Sequence, residues 1–300
     1  MMDERKKQLY GSWSVTLAAL LFSCEPVGSK LAYANGYSVM SLASLRYVVA
    51  ALAFIAVACC RRIPLFVPKP CRWPLLRVGL VGSCSSGLLY LGYDLLPATF
   101  ATLFFFSYPA FTSLVSVLFF HGRLNAVKVV SLVVSACGLV LLYWSAARFL
   151  TLPGVLCGIG AALLQGVKLN MADNLLERVD LTVYTLGIVL IMCLFFNSVT
   201  LIGGGYSLSG VSLRGWLIML FLAAAVTFGG NFSQYNGVDK IGAVDTSLIM
   251  LLQPPLTALL AWLLLGDLLR GWQIAGALLI LFAVALPPLQ QRRAQRRRTL

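Results

Sequence analysis

The chain has 300 residues, of which 60% are hydrophobic and 11% charged, with a mean hydropathy of +0.89. Soluble domains carry roughly 25% charged residues, so there is too little polar surface here to cover a water-exposed fold. The formal net charge is +13, but the basic residues sit at the ends of apolar runs rather than interleaved with aromatics on one face, which argues against nucleic acid as a partner.

Ten apolar runs follow one another, at roughly 11–34, 38–60, 74–95, 97–120, 125–146, 152–173, 181–203, 214–236, 241–265 and 271–289. Each is about 20 residues, enough at 1.5 Å per residue to cross a hydrocarbon core of ~30 Å. Helices are expected, because backbone groups in lipid must be paired within their own segment and the two-residue alternation of barrel strands is absent. Arg5, Lys6 and Lys7 precede the first run, which continues to about Ala34 without a small-residue cleavage pattern and leads straight into the next span. It reads as a first transmembrane helix rather than a cleaved signal. The eight cysteines form no C-x-x-C pair and lie mostly in apolar runs, so they read as small buried residues; Cys59 and Cys60, beside Arg61 and Arg62, also suit palmitoylation. His121 is the sole histidine and lies in a short loop, so no metal site or Ser/His/Asp set can be assembled.

Basic residues orient the chain. An even number of spans puts both termini on one side. That side collects Arg5, Lys6, Lys7, Arg61, Arg62, Lys69, Arg72, Arg77, Arg123, Lys128, Arg178, Lys240 and the arginines of the 291–300 tail, against Arg148, Arg214 and Arg270 on the other. Both termini are therefore expected to be cytoplasmic, with the bacterial cell membrane as the default location.

The chain also repeats itself. Tyr90-x-Gly92-x-Asp94 recurs 145 residues later as Tyr235-x-Gly237-x-Asp239, and at the same spacing Pro109 meets Pro254 and Thr112 meets Thr257. Ala18-Ala19-Leu20-Leu21 recurs as Ala161-Ala162-Leu163-Leu164. The repeat covers five helices, an odd number, so the second copy enters the membrane from the opposite side. The expected fold is an all-α integral membrane protein of ten transmembrane helices in two inverted five-helix repeats, 1–147 and 148–290, followed by a basic tail at 291–300. Inverted repeats are the organisation of many secondary transporters, with binding near the midplane between the halves.

The sequence resembles the EamA family of the drug/metabolite transporter superfamily over nearly its whole length. The first half carries Ser29-Lys30, Arg46-Tyr47, Thr99-Phe100-Ala101 and Pro109; the second carries Gln253-Pro254-Pro255, Gly266-Asp267-Leu268-Leu269 and Gly276-Ala277-Leu278. It departs from the family pattern at Glu25-Pro26, where an Asn-aromatic pair is usual, at Ser23 in place of Gly, and at His121-Gly122 in place of Gly-Glu. Val189 stands where a second-half counterpart of Arg46 would be. The resemblance implies export or exchange of amino acids and other metabolites without an organic cofactor.

Charges within spans are costly and usually face the protein interior or a wet cavity. Glu25, Lys30 and Arg46 fall in the first two helices, and Lys168 and Asp173 in the sixth. At a spacing of 143, Glu25 corresponds to Lys168 and Lys30 to Asp173, so the repeats place opposite signs at equivalent positions. By helix rise, Glu25 lies ~20 Å from the cytoplasmic end of its helix and Lys168 ~24 Å from the external end of its own. A zwitterion between them would meet both signs, and Glu25 is the candidate site for coupled protons. Structural alternatives stand beside these readings: a Glu25–Arg46 or Lys168 ion pair, and snorkelling of Lys30 and Asp173 to headgroups. The remaining expected pathway residues are Tyr90, Tyr108, Gln165, Asn231, Gln234 and Gln253, with Asn231 and Gln234 three apart on one helix face. Pro109 and Pro254 remove backbone donors inside spans and are candidate hinges, the alternative being packing kinks. Gly154-x-x-x-Gly158 is a close-packing stripe that serves either contacts within the chain or a homodimer.

These residues point to a secondary carrier for a small polar metabolite, amino acids first among them, working as a monomer or homodimer in a lipid bilayer. A membrane-embedded enzyme, a channel and a non-transporting scaffold are the rival readings. No metal, organic cofactor or nucleic acid is expected.

Overall fold

The computed structural model describes the backbone of residues 4–96, 98–120, 122, 124–144, 151–266 and 268–298, and their side chains apart from 5, 94, 98, 99, 288 and 291–298. His121, Arg123, Arg148 and Asp267 lie outside the described residues, as do the side chains of Arg5, Asp94, Thr99 and the tail arginines.

Among the described residues every regular element is helical: α1 (Glu4–Ala34), α2 (Val39–Cys60), α3 (Arg72–Leu95), α4 (Ala98–Phe105), α5 (Tyr108–Phe119), α6 (Ala126–Leu142), α7 (Leu152–Leu176), α8 (Leu181–Ile202), α9 (Leu213–Phe221), α10 (Asn231–Ile249), α11 (Gln253–Leu265) and α12 (Gly271–Arg298). A π-helical stretch, Leu222–Gly230, joins α9 to α10, and a 3-10 turn, Met250–Leu252, joins α10 to α11. Local chemistry sets several starts. Ser38, Asn125, Asp180 and Ser212 each accept from a backbone N–H in the first turn of the helix that follows.

Seven helical stretches are long and apolar enough to cross a membrane, and Ala126–Leu142 and Gly271–Pro287 are shorter apolar helices. The last of the seven, Leu213–Leu265, runs for 53 residues. Straight, it would reach about 80 Å, far beyond a bilayer core. It is broken at Gly242, whose φ of 83° and ψ of 166° fall in a region open essentially to glycine. The fourth apolar run is also broken: α4 stops at Phe105, and α5 restarts at Tyr108 with Pro109 in its first turn, where a missing N–H costs nothing.

Polar side chains are concentrated inside, among an apolar core, and the exterior is largely apolar. Ser23, Ser44, Ser85, Thr112 and Asn170 are buried, whereas Leu52, Leu118, Leu194, Leu201 and Leu278 are exposed. That distribution suits a lipid surround, and the chain is an integral membrane protein. The cysteines depart from expectation for the same reason. Cys71 alone is buried, while Cys59, Cys60, Cys84 and Cys137 are exposed, because an apolar side chain is as comfortable against lipid as inside the protein.

The most extensive helix pairings are α6 with α12, α3 with α7, α1 with α10 and α2 with α8. Exchange α1 with α7, α2 with α8, α3 with residues 213–241, α4 and α5 with residues 243–265, and α6 with α12. The pairing of α3 with α7 then becomes that of α1 with α10, the pairing of α5 with α7 becomes that of α1 with α11, and the α2–α8 and α6–α12 pairs map onto themselves. Both of the exchanged pairs, α5–α7 and α1–α11, are tied by a side-chain hydrogen bond, donated from α7 in one and from α11 in the other. Asn170 donates to the Thr112 carbonyl at 2.9 Å, and Thr257 donates to the Ser23 carbonyl at 3.3 Å. At the α6–α12 crossing a Cβ on Gly276 would lie 2.5 Å from the Gly138 oxygen, so only glycine permits this approach. The Gly154 and Gly158 stripe faces Leu96 and Phe104 of the same chain.

Candidate functional site

A cavity of about 1090 Å³ lies between the two halves of the chain. It reaches the surface at the end of the bundle formed by the α1–α2 and α8–α9 turns, where Ser38, Gly203, Gly204, Gly205 and Ser207 form its mouth. Asn35 and Ser212 are hydrogen bonded at 2.7 Å, and the Ser207 N–H donates to Ser41 Oγ at 3.0 Å, which ties the two turns together. At the other end the cavity stops at Tyr108, Lys168, Gln234 and Met250, all buried. Beyond them the helices are joined by hydrogen bonds from Asn236 to Ser14 Oγ and from Asn170 to Thr112, and by the edge-to-face contact of Tyr184 with Tyr235.

All ten residues expected on a substrate path line this one cavity: Glu25, Lys30, Arg46, Tyr90, Tyr108, Gln165, Lys168, Asn231, Gln234 and Gln253. Their convergence follows from helix periodicity and packing. Gln165 and Lys168 are three apart on α7, as are Asn231 and Gln234 on α10, so each pair shares a face. The α7 face turns toward α3 at Gly82, where a Cβ would lie 2.8 Å from Lys168 Cδ; the missing side chain leaves room for the lysine stem.

Arg46 is buried and its Nη2 lies 2.7 Å from Glu25 Oε1, so α1 and α2 are joined by an ion pair on the cavity wall. The geometry is that of a charge-assisted hydrogen bond. Tyr47 stacks on Phe196 at 5.3 Å, and Tyr90 meets the same ring edge-on at 5.7 Å, closing the wall beneath the arginine. Lys168 is also buried. Its ammonium lies 5.8 Å from the centre of the Tyr235 ring, within cation–π range. Tyr90 and Tyr235, equivalent in the repeat, have therefore separated: Tyr90 lines the cavity, and Tyr235 is fully buried beneath Lys168.

Gln253 explains how α1 tolerates Pro26. Proline has no N–H, so the Phe22 carbonyl loses its intrahelical partner. Gln253 Nε2 donates to that carbonyl at 3.3 Å. Pro109 and Pro254 sit at the starts of α5 and α11, next to the cavity but outside its lining. Asp173 is engaged elsewhere, accepting from the Ala243 N–H at 3.0 Å just after the Gly242 break. Among the described residues no group of His, Cys, Asp and Glu gathers as a metal site would.

Several lining residues escaped sequence reasoning: Tyr33, Tyr47, Tyr93, Tyr143 and the turn of Gly203, Gly204 and Gly205. An aromatic residue in an apolar helix carries no mark of which way it faces. The three glycines stand at the end of the apolar run 181–203 and carry no side chain to single them out.

Two curated relatives are named as transporters. The chain is 26% identical over 223 residues to an uncharacterized transporter of Synechocystis sp., covering 73% of this chain and 68% of the relative. It is 22% identical over 209 residues to an uncharacterized transporter of Clostridium kluyveri, covering 67% of each. A crystal structure of another protein superposes with a TM-score of 0.79 over 97% of this chain and 99% of the other, at 21% identity, which establishes the shared fold. The model of one family, the EamA-like transporter family, matches twice, over residues 9–144 and 152–287. With two matches that between them take in nearly the whole chain, the protein belongs to the EamA-like transporter family.

Proposed function

We propose that this chain is a secondary transporter of small polar metabolites, amino acids and related compounds among them, working by alternating access. The observation that carries the reading is one large cavity, walled by charged and amide side chains from both halves, open at one end of the bundle and shut at the other. A channel needs both ends open at once. The pairing of helices maps onto itself when the halves are exchanged, which supports a second state with the open and shut ends reversed.

In this reading the chain crosses the membrane ten times, with Leu213–Leu265 counted as two crossings on either side of Gly242 and the two shorter apolar helices as one each. The halves, 1–147 and 148–290, are inverted. Both termini and the basic tail are cytoplasmic, by the distribution of lysine and arginine, and the cavity then faces outward from the cell membrane. Glu25, Lys30, Arg46, Tyr90, Tyr108, Gln165, Lys168, Asn231, Gln234 and Gln253 form the translocation path. Pro109 and Pro254 mark the hinges. Glu25 is the candidate proton site.

The test is untargeted profiling of metabolites inside and outside cells expressing the native chain, Glu25→Gln or Lys168→Met at matched membrane levels. Redistribution by the native chain that is lost in the variants supports both carrier and path. Redistribution surviving in both variants keeps the carrier and removes these residues from the path. A chain that moves nothing, but is required for assembly of a partner, is a scaffold.

A further inference from the structure

An ionised group within a membrane span is expensive unless it is paired. Inside the apolar spans every described acid has a partner. Glu25 meets Arg46, Asp173 accepts from the Ala243 N–H, Asp239 pairs with Lys240, and Asp245 pairs with Lys128. Lys168 breaks the pattern. The residue is 6% exposed, it pairs with no carboxylate among the described residues, and its ammonium lies near the face of the Tyr235 ring. Yet it stands on the cavity wall.

Two amides strengthen the case. Gln165, one turn before Lys168 on α7, and Gln234 on α10 line the same cavity, and neither makes a hydrogen bond among the described residues. A lone ammonium and free amide N–H groups together make an acceptor's site. The opposite site is missing. Glu25, the one described carboxylate on the wall, is already held by Arg46 at 2.7 Å. An ammonium group on a substrate would have to displace the arginine to find a counter-charge.

We infer that the substrate is an organic anion whose acidic group, a carboxylate, sulfonate or phosphate, sits on Lys168 Nζ. Its body is planar or apolar and lies against the rings of Tyr47, Tyr90, Phe105 and Tyr108. The inference rests on the transport reading for its biological meaning and narrows that reading from polar metabolites, zwitterions included, to net anions. It replaces the picture of a zwitterion held between Glu25 and Lys168, because the structure shows Glu25 neutralised.

The experiment uses the full chain in lipid nanodiscs and four ligands that share one carbon skeleton: 3-phenylpropionate, phenylalanine, 3-phenylpropylamine and 3-phenylpropanol, with benzenesulfonate and phenyl phosphate as further anions. Calorimetric titration is expected to rank an anion first, at least about tenfold tighter than the alcohol, the factor a hydrogen bond to a charged group supplies. The amine and the zwitterion are expected to rank below it. Lys168→Met brings the anions to the level of the alcohol, and Lys168→Arg retains a preference for them. Tighter binding of phenylalanine or the amine, or no anion preference across the whole series, overturns the inference, and neither result depends on a variant folding. Anion preference that survives in monodisperse Lys168→Met also overturns it. Counterflow of the preferred ligand in proteoliposomes separates the two readings. Anion binding without counterflow refutes transport and keeps the site, whereas counterflow of phenylalanine that persists in Lys168→Met keeps transport and refutes the anion.

Discussion

Replacing Glu25 with glutamine exposes the electrostatics of the cavity to direct measurement. The substitution preserves shape and an acceptor oxygen, but removes the charge that offsets desolvation of Arg46. The arginine side chain is 6% exposed, and the carboxylate 2.7 Å away is 30% exposed. Removing one partner of a buried pair costs about 3–5 kcal/mol. Glu25 faces the cavity and keeps some solvent, so the lower end applies, about 3 kcal/mol. At roughly 2–4 °C per kcal/mol, the apparent melting temperature in nanodiscs falls by about 6–12 °C, read at one fixed scan rate because membrane proteins often unfold irreversibly. Arg46→Gln and the double variant complete a cycle. The double variant carries no stranded charge, so it loses less than the sum of the singles, with a coupling of at least about 1 kcal/mol. A melting temperature unchanged in Glu25→Gln, or single effects that add within about 0.5 kcal/mol, refutes the reasoning.

Gly276→Ala places a Cβ 2.5 Å from the Gly138 oxygen and 2.6 Å from the Leu142 nitrogen, both backbone atoms that cannot swing away. The α6–α12 crossing must open, at a cost of about 1–3 kcal/mol, whereas Gly271→Ala, whose Cβ meets nothing within 4 Å, shifts the melting temperature far less. Gly242→Ala has room, its nearest neighbour being Asp173 Oδ2 at 3.4 Å, but its φ of 83° is strained for alanine, and a loss of about 1–3 kcal/mol is expected in the same assay. Asp173→Ala removes the acceptor of the Ala243 N–H and costs about 1 kcal/mol, visible as faster amide hydrogen exchange over residues 243–247 than in the native chain. Unchanged exchange there shows that the carboxylate does not cap this segment.

Much of the architecture is legible in composition because lipid is a demanding solvent. A span must be long, apolar and internally hydrogen bonded, so Val39–Cys60 and Leu181–Ile202 announce themselves by length alone. The breaks are legible where proline removes a donor, as at Pro109. The Gly242 break is harder to read, because glycine within an apolar helix more often marks close packing than a positive φ. The polar residues Asn236, Asp239 and Lys240 part the apolar runs 214–236 and 241–265 and mark the neighbourhood of the break, but not the glycine that makes it. The start of α1 is also hidden: polar residues at 4–10 continue the helix outside the apolar run.

Charged residues in spans are few, so singling them out needs no tertiary information. Glu25, Lys30, Arg46 and Lys168 are conspicuous in apolar surroundings, and they converge on one cavity. Aromatic residues give no such signal. Tyr47 and Tyr143 line the cavity, while Trp13 and Trp73 are exposed on the outer surface, and an apolar helix reads alike in each case.

The sequence by itself determined that the chain lives in a membrane, that it is built from helices, that it contains a repeat, and which few charges lie within its spans. Each follows from transfer energy and spacing along one segment, quantities that need no neighbour. Only the tertiary structure decided which charge is satisfied and which is free. Glu25 and Lys168 are equivalents in the repeat and opposite in sign, but Arg46 on α2 reaches Glu25, whereas Lys168 meets an aromatic face. Pairing depends on how helices turn about their axes and which ones touch, and that is fixed by close packing at positions such as Gly82 and the Gly138–Gly276 crossing, not by hydropathy.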